Sequence, residues 1–575
     1  MRILALLVAL LLAPFAAQLA AQDGERTTPV PPPPQRPPLV VLISVDQLRA
    51  DYLSRFDTLF GEGGFRRLME QGAWFPDARL PYTLSFTAVS HAAIATGCNP
   101  SSTGIVGNAW YDPDEDRKVY AVEDSEARIL GSADGIATAG RSLKLLERPT
   151  LGDAMQAHFG DASMVLSFSI KDRSALMLGG KQSDGSYWID GNTGTWITSS
   201  RVSGEGAHLT ALPDWVVALN RKQPLLKFAG EEWQRVISDA AASDLAGPDD
   251  APGEPTGKWP DRTFPHEIPS VEDVTEGMGA DQAAPHISRL VKYSPYGDRA
   301  VYDAAKRALA ATELGRDAVP DLLALGFSSL DYVGHVYGPD SVEVLEMVVA
   351  LDRLLAELFQ QLDMFVGKGR WVLALTSDHG IPPLPEQSGG RRMPSGLAGT
   401  LDEKLRRSFG VPPHGAGPSE TWVLNVSQPG VTLNHAAAKA KSIPIETLAG
   451  RAAELLRKVP GISHASPRSE LLRGQFDDWP PAVTADLHPT RSADVHFLLE
   501  KNAMFGLSGT THGTHHDNDS RVPLIFLGKM FAAVHDVDGG GTTDIAPTLA
   551  AYLGIELLTK PDGRVLTEAY VQPNP

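Results

Sequence analysis

Cysteine is nearly absent from this chain, because Cys98 is the only one among its 575 residues. An intrachain disulfide is therefore excluded. Basic residues are also scarce: 51 Lys and Arg stand against 70 Asp and Glu, which gives a formal net charge of −19. An acidic surface of this kind argues against nucleic acid as a partner. An anionic substrate would need a local site that overcomes this charge, and a metal cluster would supply one.

Long apolar runs are missing after the first 21 residues, so we expect no later segment to cross a membrane. The N-terminus has one Arg, an apolar run interrupted by Pro14, and small residues at Ala20 and Ala21. This pattern predicts a Sec signal peptide over residues 1–21, and the alternative is an uncleaved membrane anchor. Export without disulfides indicates a bacterial periplasmic or secreted protein, expected to be a monomer with no stable membrane insertion after cleavage. A Pro-rich tether over residues 22–38 follows.

Short runs of aliphatic and β-branched residues recur along the rest of the chain, with helical patterns between them. Four runs read as buried parallel strands and a fifth comes near the end: 39–45, 163–170, 321–328, 371–377 and 522–528. Helical periodicity covers residues 302–314, 341–363 and 542–554. Alternating strands and helices predict an α/β fold, a three-layer sandwich with a mostly parallel central sheet.

Two regions interrupt this alternation. Residues 186–200 read as a hairpin around a Gly/Asn turn, and a polar stretch rich in Pro and Gly follows it. Residues 380–510 begin as a loop and then contain a helical pattern. We interpret the segments at about 180–290 and 380–510 as insertions over the active-site edge, within a single catalytic domain that spans residues 39–575.

Three acidic residues follow three of the predicted strands. Asp46 comes directly after the first strand, Asp331 lies just beyond the third, and Asp378 ends the fourth. Ligands of open α/β sheets bind outside the carboxyl ends of the strands, so these carboxylates should meet there. Three carboxylates in one place repel one another unless cations neutralise them.

Histidines accompany these acids. His335 is spaced i,i+4 from Asp331, His379 is adjacent to Asp378, and His512 precedes the fifth strand. Taken singly, each acid could be a helix cap and the i,i+4 pair an ordinary surface pair. Together at consecutive strand ends they favour a metal site, and mixed oxygen and nitrogen ligands suit zinc better than manganese or iron. Two such ions are a usual apparatus for phosphoryl hydrolysis.

Several motifs together resemble those of a known family. They are "VDQLR" at 45–49, the segment around Thr87, "SLDYVGH" at 329–335, "TSDHG" at 376–380 and "THGT" at 511–514. In this order they resemble the alkaline phosphatase superfamily, in its type I phosphodiesterase/nucleotide pyrophosphatase branch, and within it the PafA-like phosphate-irrepressible alkaline phosphatases. The likeness spans nearly the whole chain after the tether and implies an alkaline phosphatase-like fold.

The resemblance implies two zinc ions per chain. Asp46, Asp378 and His379 would hold one zinc, with Thr87 as its additional ligand, and the second zinc would be held by Asp331, His335 and His512. His515 and His516 would only support the site or face solvent. Three further histidines have no acidic or histidine neighbour at ligand spacing in the sequence, and we expect them to be structural: His91, His158 and His435.

The segment Leu80–Pro100 offers several nucleophiles and no obvious base, so we expect a metal to activate the one that reacts. The family places its nucleophile four residues before a His that opens a helix, which selects Thr87. A helix N-terminus there would favour a bound phosphate. Cys98 resembles the sulfatase motif, but Ser102 stands where that motif needs Arg, so we expect Cys98 to be a small buried residue. The other hydroxyls fit better as structural groups: Thr83, Ser85, Ser90 and Thr96.

By resemblance, Asn108, Lys171 and Arg173 would contact the phosphate, because monoesterases of the PafA-like branch have this set and the diesterases lack the Lys/Arg pair. We therefore predict hydrolysis of a broad range of small-molecule phosphomonoesters, with release of inorganic phosphate, through a phosphothreonine intermediate. The alternative enzyme is a phosphodiesterase or nucleotide pyrophosphatase on the same scaffold. A non-catalytic alternative is a secreted metal- or phosphate-binding protein.

Overall fold

The structure is a computed structural model that describes residues 36–113, 115–132, 139–201, 209–255, 261–415, 420–474, 478–535, 537 and 539–571. The predicted signal peptide and most of the predicted tether lie outside these residues. Among the described residues, no helix is both long and apolar enough to cross a membrane.

A nine-stranded sheet forms the centre of the protein. In spatial order its strands are Ala73–Phe75, Leu524–Leu527, Trp371–Thr376, Leu39–Val45, Asp321–Phe327, Val165–Ser169, Gly185–Ile189, Trp196–Ser199 and Ile129–Leu130. The five strands from Trp371–Thr376 to Gly185–Ile189 are parallel. All four predicted parallel strands lie in this block.

The outer strands differ from the prediction in one respect. Leu524–Leu527 pairs antiparallel with Trp371–Thr376, although the sequence grouped it with the parallel strands. A short apolar run fits a buried strand of either direction, so its composition does not reveal the direction of pairing. The predicted hairpin is present as Gly185–Ile189 and Trp196–Ser199, but it extends the central sheet. The predicted insertion at about 180–290 thus begins inside the sheet.

Helices cover both faces of the sheet, because its central strands are apolar on both sides. Val41 and Ile43 point into a core that contains the helices Pro295–Ala311 and Val342–Leu362. Their neighbours along the strand pack on the opposite side, against Leu151–Phe159 and Ile545–Leu553. Alternate residues of a strand face opposite sides, so this arrangement is the predicted three-layer sandwich.

The longer helices have these bounds in the structure. Among the described residues, the α-helices of eight residues or more are Thr87–Thr96, Leu151–Phe159, Asp172–Gly179, Val271–Met278, Ala280–Val291, Pro295–Ala311, Ser329–Tyr337, Val342–Leu362, Leu397–Phe409, Ile445–Leu456 and Ile545–Leu553.

The segment predicted as an insertion at 380–510 contains a second, smaller sheet. Its strands are, in spatial order, Val423–Ser427, Gly430–Leu433, Val495–Leu499 and Ile462–Pro467. The helices Leu397–Phe409 and Ile445–Leu456 share a separate hydrophobic cluster with this sheet. The segment is also tied to the main body, because Arg491 donates hydrogen bonds to the carbonyls of Gly104 and Leu145, each at 2.7 Å.

Candidate active site

The predicted acids meet at the carboxyl edge of the parallel strands. Asp46 directly follows Leu39–Val45, and Asp378 lies two residues beyond Trp371–Thr376. These strands are neighbours in the sheet and run the same way, so both carboxylates reach the same edge. Asp331 reaches it from the helix Ser329–Tyr337, which follows the next strand of the sheet.

Asp46, Asp378 and His379 form the first candidate metal group, with one ligand atom of each within 4.8 Å of the others. His379 Nε2 lies 3.5 Å from Asp46 Oδ1 and 3.4 Å from Asp378 Oδ2. These three atoms are buried and have no hydrogen-bond partner in the part of the chain that the structure describes. Because an unpaired buried polar atom is costly, three of them facing one point fit a bound cation.

Asp331, His335 and His512 form the second group, again with ligand atoms within 4.8 Å of one another. His335 Nε2 lies 3.1 Å from Asp331 Oδ1, and His512 Nε2 lies 3.8 Å from the same oxygen. The i,i+4 spacing of Asp331 and His335 therefore brings them together on one helical turn, as predicted. The rings of His379 and His512 stack with centroids 3.5 Å apart and connect the two groups.

Backbone carbonyls fix the tautomer of the two histidines in the second group. His335 Nδ1 lies 2.7 Å from the carbonyl oxygen of Thr510, and His512 Nδ1 lies 2.6 Å from that of Ser85. A carbonyl oxygen only accepts hydrogen bonds, so each Nδ1 carries the proton. In the neutral form of each ring, Nε2 then presents its lone pair to the site, as a metal ligand must.

The protonation of the first group also suits a cation. Burial lowers the pKa of His379 to about 3, so its imidazole is neutral. Burial and the neighbouring Asp46 carboxylate raise the pKa of Asp378 well above its usual value. A cation at this position would lower the pKa of Asp378 again, because a positive charge favours the ionised carboxylate. Asp46 and Asp378 would then both stay ionised.

Lys171 lies at the junction of the two groups. Its Nζ is 2.6 Å from Asp46 Oδ2 and 2.5 Å from Asp331 Oδ2, so it contacts one carboxylate of each group. Although burial opposes it, Asp331 and Asp46 raise the pKa of Lys171. The sequence predicted Lys171 as a phosphate contact, and the structure places its ammonium in the site, paired with the predicted metal ligands.

Thr87 is the first residue of the helix Thr87–Thr96, and its side chain is buried. The preceding residue, Phe86, is extended, so the helix begins at Thr87 itself, four residues earlier than the start at His91 that the family pattern implied. Asn108 Oδ1 accepts a 2.8 Å hydrogen bond from the backbone N–H of Ala88, which holds Asn108 beside the predicted nucleophile.

Arg173 lies at the edge of the same site. Its guanidinium donates a hydrogen bond of 3.3 Å to the hydroxyl of Tyr120, which in turn donates one of 2.6 Å to Asp172. The Arg173 Nε is buried and has no hydrogen-bond partner among the described residues. Arg173 therefore has a fixed position and a donor still available for an anion.

Gln47 is a site residue that the sequence analysis missed. Its backbone N–H donates to Asp378 Oδ1 at 3.1 Å, and its side-chain amide donates to Asp331 Oδ1 at 2.7 Å. Gln47 thus contacts both groups, and it does so with a positive φ of 70°, which is uncommon for a residue other than glycine. The side chain passes Gly334, where an added Cβ would lie 1.8 Å from Gln47 Oε1.

His91 was expected to be a structural residue without an acidic neighbour in the sequence. In the structure it does have an acidic neighbour, Asp378. Its Nδ1 lies 2.8 Å from the Thr87 carbonyl oxygen and 3.5 Å from Asp378 Oδ2. Burial lowers the pKa of His91 to about 4, so the ring is neutral. The i,i+4 spacing to Thr87 was visible in the sequence, but the approach of Asp378 depends on the fold.

The loop that carries His512 is held by two residues that the sequence analysis did not assign to the site. Ser85 Oγ accepts from the Gly513 N–H at 3.0 Å and donates to the Thr514 carbonyl at 2.9 Å. Asp519 Oδ2 accepts from both the N–H and the hydroxyl of Thr514, each at 2.7 Å. These contacts fix the backbone on which the imidazole of His512 depends.

The other histidines that the structure describes, and the cysteine, lie outside the two groups. His516 Nε2 bonds to the carbonyl of Leu499 at 3.0 Å, and His515 lies against the His516 ring. His435 pairs with Asp494 at 2.8 Å. Cys98 is buried, as expected. His158 lies against Phe159.

Comparison with known proteins identifies the family. The model of the family type I phosphodiesterase / nucleotide pyrophosphatase matches residues 40–516. The chain belongs to this family. It is 30% identical over 541 residues to alkaline phosphatase PhoV of Synechococcus elongatus, with 93% of each chain covered. It is 28% identical over 554 residues to alkaline phosphatase PafA of Elizabethkingia meningoseptica, with 95% of this chain and 96% of the relative covered.

Solved structures of this family agree with the fold. A crystal structure of alkaline phosphatase PafA is similar with a TM-score of 0.82 at 26% identity, covering 93% of this chain and 99% of that one. A second PafA structure, with a TM-score of 0.83, has one Thr, one Asn, one Lys and one Arg substituted. The resemblance to PafA-like alkaline phosphatases and the predicted sandwich fold are thereby confirmed.

Proposed function

We propose that this protein is a zinc-dependent phosphate monoester hydrolase that acts on small-molecule phosphoesters and releases inorganic phosphate. One observation carries the proposal: two groups of carboxylates and imidazoles adjoin the start of a helix whose first residue is Thr87. Within each group, the ligand atoms lie within 4.8 Å of one another. The full-length similarity to the alkaline phosphatases PhoV and PafA supports it.

We propose one zinc ion at Asp46, Asp378 and His379, with Thr87 as an additional ligand, and a second at Asp331, His335 and His512. When bound, these ions would lower the pKa of the Thr87 hydroxyl and offset the negative charge of the phosphoryl group and of the leaving oxygen.

The Thr87 oxygen, once its hydroxyl has lost the proton, attacks phosphorus in line with the leaving oxygen. The bond between phosphorus and the leaving oxygen breaks, the organic group departs as an alcohol after that oxygen takes up a proton, and a phosphothreonine forms. Water then hydrolyses this ester, releases phosphate and restores the hydroxyl. The backbone N–H groups at the start of the helix favour the bound anion.

Three further groups favour a monoester over a diester. A monoester has three non-bridging oxygens and more negative charge than a diester, so it gains more from extra donors. Asn108, Lys171 and Arg173 would supply them. The multiply substituted PafA structure offers support, because its substituted Thr and Asn are 21 positions apart and its Lys and Arg 2 apart. Thr87 and Asn108 have the same spacing (108 − 87 = 21), as do Lys171 and Arg173.

The test measures kcat/KM for an aryl phosphate and a bis-aryl phosphate, together with zinc content by mass spectrometry, on the same sample. We expect a clear preference for the monoester and two zinc ions per chain. Thr87→Ala should lose turnover by several orders of magnitude while it keeps its zinc, and Thr87→Ser should retain part of the activity. Near-full activity in Thr87→Ala would refute the assignment. A preference for the diester would favour the second candidate, a phosphodiesterase or nucleotide pyrophosphatase.

Export belongs to the same proposal. The N-terminal pattern supports a signal peptide over residues 1–21, followed by a tether over 22–38 and a single catalytic domain over 39–575 in a periplasmic or secreted monomer. N-terminal sequencing of the mature protein and its mass in solution test this.

A further inference from the structure

A hairpin beside the candidate active site carries one of the proposed phosphate contacts. Its strands, Ala109–Asp112 and Arg117–Tyr120, pair antiparallel. Asn108 directly precedes the first strand, and its carbonyl accepts a 3.0 Å hydrogen bond from the N–H of Ala121, which directly follows the second strand. The open end of the hairpin therefore has Asn108 on one strand and Tyr120 on the other.

The hairpin packs against the two helices that adjoin the site. Trp110 and Val119 lie opposite each other on its strands, and both belong to a hydrophobic cluster with Ala88 and Ala175. Ala88 lies in the helix that carries the proposed nucleophile, and Ala175 lies in the helix that begins at Asp172. Because close-packed apolar side chains allow little movement, the open end of the hairpin has a fixed place relative to both helices.

Tyr120 connects the hairpin to Arg173. Its hydroxyl accepts a 3.3 Å hydrogen bond from the Arg173 guanidinium and donates one of 2.6 Å to Asp172 Oδ1. Burial and the Asp172 carboxylate raise the pKa of Tyr120 to about 12, so the hydroxyl keeps the proton that it donates. The centre of the Tyr120 ring lies 5.0 Å from the guanidinium carbon of Arg141, which donates a 2.8 Å hydrogen bond to Asp172 Oδ2. The hydroxyl and the ring are thus both oriented before a ligand binds.

The Arg173 guanidinium depends on this hydroxyl for its orientation. Among the described residues, the Tyr120 hydroxyl is the one hydrogen-bond partner of the guanidinium, while Asp172 accepts from the backbone N–H of Arg173. The buried Nε of Arg173 has no partner there and is available for an anion. A long side chain that is already ordered loses less free energy when it binds a ligand, so the Tyr120 hydroxyl should strengthen the contact between Arg173 and a phosphate.

We infer that Tyr120 is a positioning residue, which holds the Arg173 guanidinium for the phosphoryl group of the substrate. The inference rests on the proposed function and adds a residue to it. Tyr120 acts through Arg173, and because Asn108 lies on the same hairpin, the two phosphate contacts keep a set spacing. The organic part of the substrate takes no part in this arrangement, so the role of Tyr120 is the same for every phosphomonoester.

A comparison of two kinds of phosphate ester distinguishes this role from a general structural one. A monoester carries more negative charge than a diester, so it gains more from Arg173. Removal of the Tyr120 hydroxyl should therefore weaken monoester hydrolysis, whereas a general loss of structure would weaken both reactions alike. Inorganic phosphate has no organic group and should also bind through Arg173.

The experiment measures kcat/KM for an aryl phosphate and a bis-aryl phosphate, and inhibition by inorganic phosphate, in Tyr120→Phe, Arg173→Ala and the double variant. Phenylalanine keeps the ring beside Arg141 and removes only the hydroxyl. Tyr570→Phe is the matched control, because the Tyr570 hydroxyl donates a 2.7 Å hydrogen bond to the carbonyl of Thr548 and its ring belongs to a different hydrophobic cluster. Zinc content and thermal melting show whether each variant is folded.

We expect Tyr120→Phe to lower kcat/KM for the aryl phosphate and the affinity for inorganic phosphate, each about tenfold, while kcat/KM for the bis-aryl phosphate stays near its wild-type value. The double variant should lose no more than Arg173→Ala, because the hydroxyl acts through Arg173. Tyr570→Phe should keep the wild-type ratio of monoester to diester hydrolysis.

Four results would overturn the inference and leave the proposed function standing. They are equal losses for both esters in Tyr120→Phe, wild-type kinetics in that variant, a Tyr120→Phe protein that does not fold, and additive losses in the double variant with Arg173→Ala. If the wild-type protein hydrolyses no monoester, the proposed function itself fails and the inference fails with it, so the two failures are distinguishable.

Discussion

Replacing Gly334 with alanine tests how the two metal groups are held relative to each other. The new Cβ would lie 1.8 Å from Gln47 Oε1, so the Gln47 side chain would have to move. That movement would break the 2.7 Å hydrogen bond from the Gln47 amide to Asp331 Oδ1. Gln47 would then keep only its backbone hydrogen bond to Asp378, in the first metal group, and would no longer contact the second group.

The magnitude follows from the type of bond. A hydrogen bond to a charged group contributes about 1.5–3 kcal/mol, which corresponds to roughly a 10- to 150-fold change in an equilibrium constant. Loss of a residue that orients a metal ligand commonly weakens metal binding by about 10- to 100-fold. Alanine is also a better helix former than glycine by about 1 kcal/mol, so folding stability should not fall by a similar amount.

The assay is zinc affinity, measured by competition with a chelator, in a double-mutant cycle. Gly334→Ala and Gln47→Ala should each weaken zinc binding, and the double variant should be no worse than Gln47→Ala alone. The control is Gly399→Ala, because Gly399 is also helical and its added Cβ would meet nothing within 4 Å. Additive losses in the double variant, or wild-type affinity in Gly334→Ala, would refute this account of Gln47.

Three other experiments address separate parts of the molecule. Burial opposes the protonation of His266, but Asp261 and Glu343 raise its pKa from 6.5 to about 9. Protonated His266 therefore stabilises the folded state, and this stabilisation is complete below pH 6.5 and is lost as the pH rises through 9. The free energy of unfolding should therefore fall by up to about 3 kcal/mol across this range, and chemical denaturation of His266→Gln should show a flatter profile. Lys171→Ala should lower kcat/KM for an aryl phosphate more than for a bis-aryl phosphate, and equal losses would argue against a phosphate contact. Asp519→Ala should loosen the loop of His512 and weaken zinc binding in the chelator competition; unaltered affinity would mean that Ser85 is sufficient to hold the loop.

Local pattern was sufficient to predict which ligand residues meet, because parallel strands bring their carboxyl ends to one edge. Asp46, Asp331 and Asp378 could be predicted from this rule and the family motifs, and the structure brings them together. The antiparallel pairing of Leu524–Leu527 could not be predicted, because the direction of pairing depends on how the chain connects the strands and not on their composition. The contacts of Gln47 and the approach of Asp378 to His91 were hidden for a related reason: they join positions far apart in the sequence.

The distance in sequence between the two ends of the site has a consequence for how the protein folds. The candidate ligands extend from Asp46 to His512, a separation of 466 positions (512 − 46). Contacts of such long range form slowly, because the chain loses much entropy before they stabilise it. Complete zinc sites would therefore arise only after most of the chain has folded, and free zinc would stabilise the finished fold by mass action. Under the proposed function, the supply of zinc would therefore affect how long each molecule survives proteolysis.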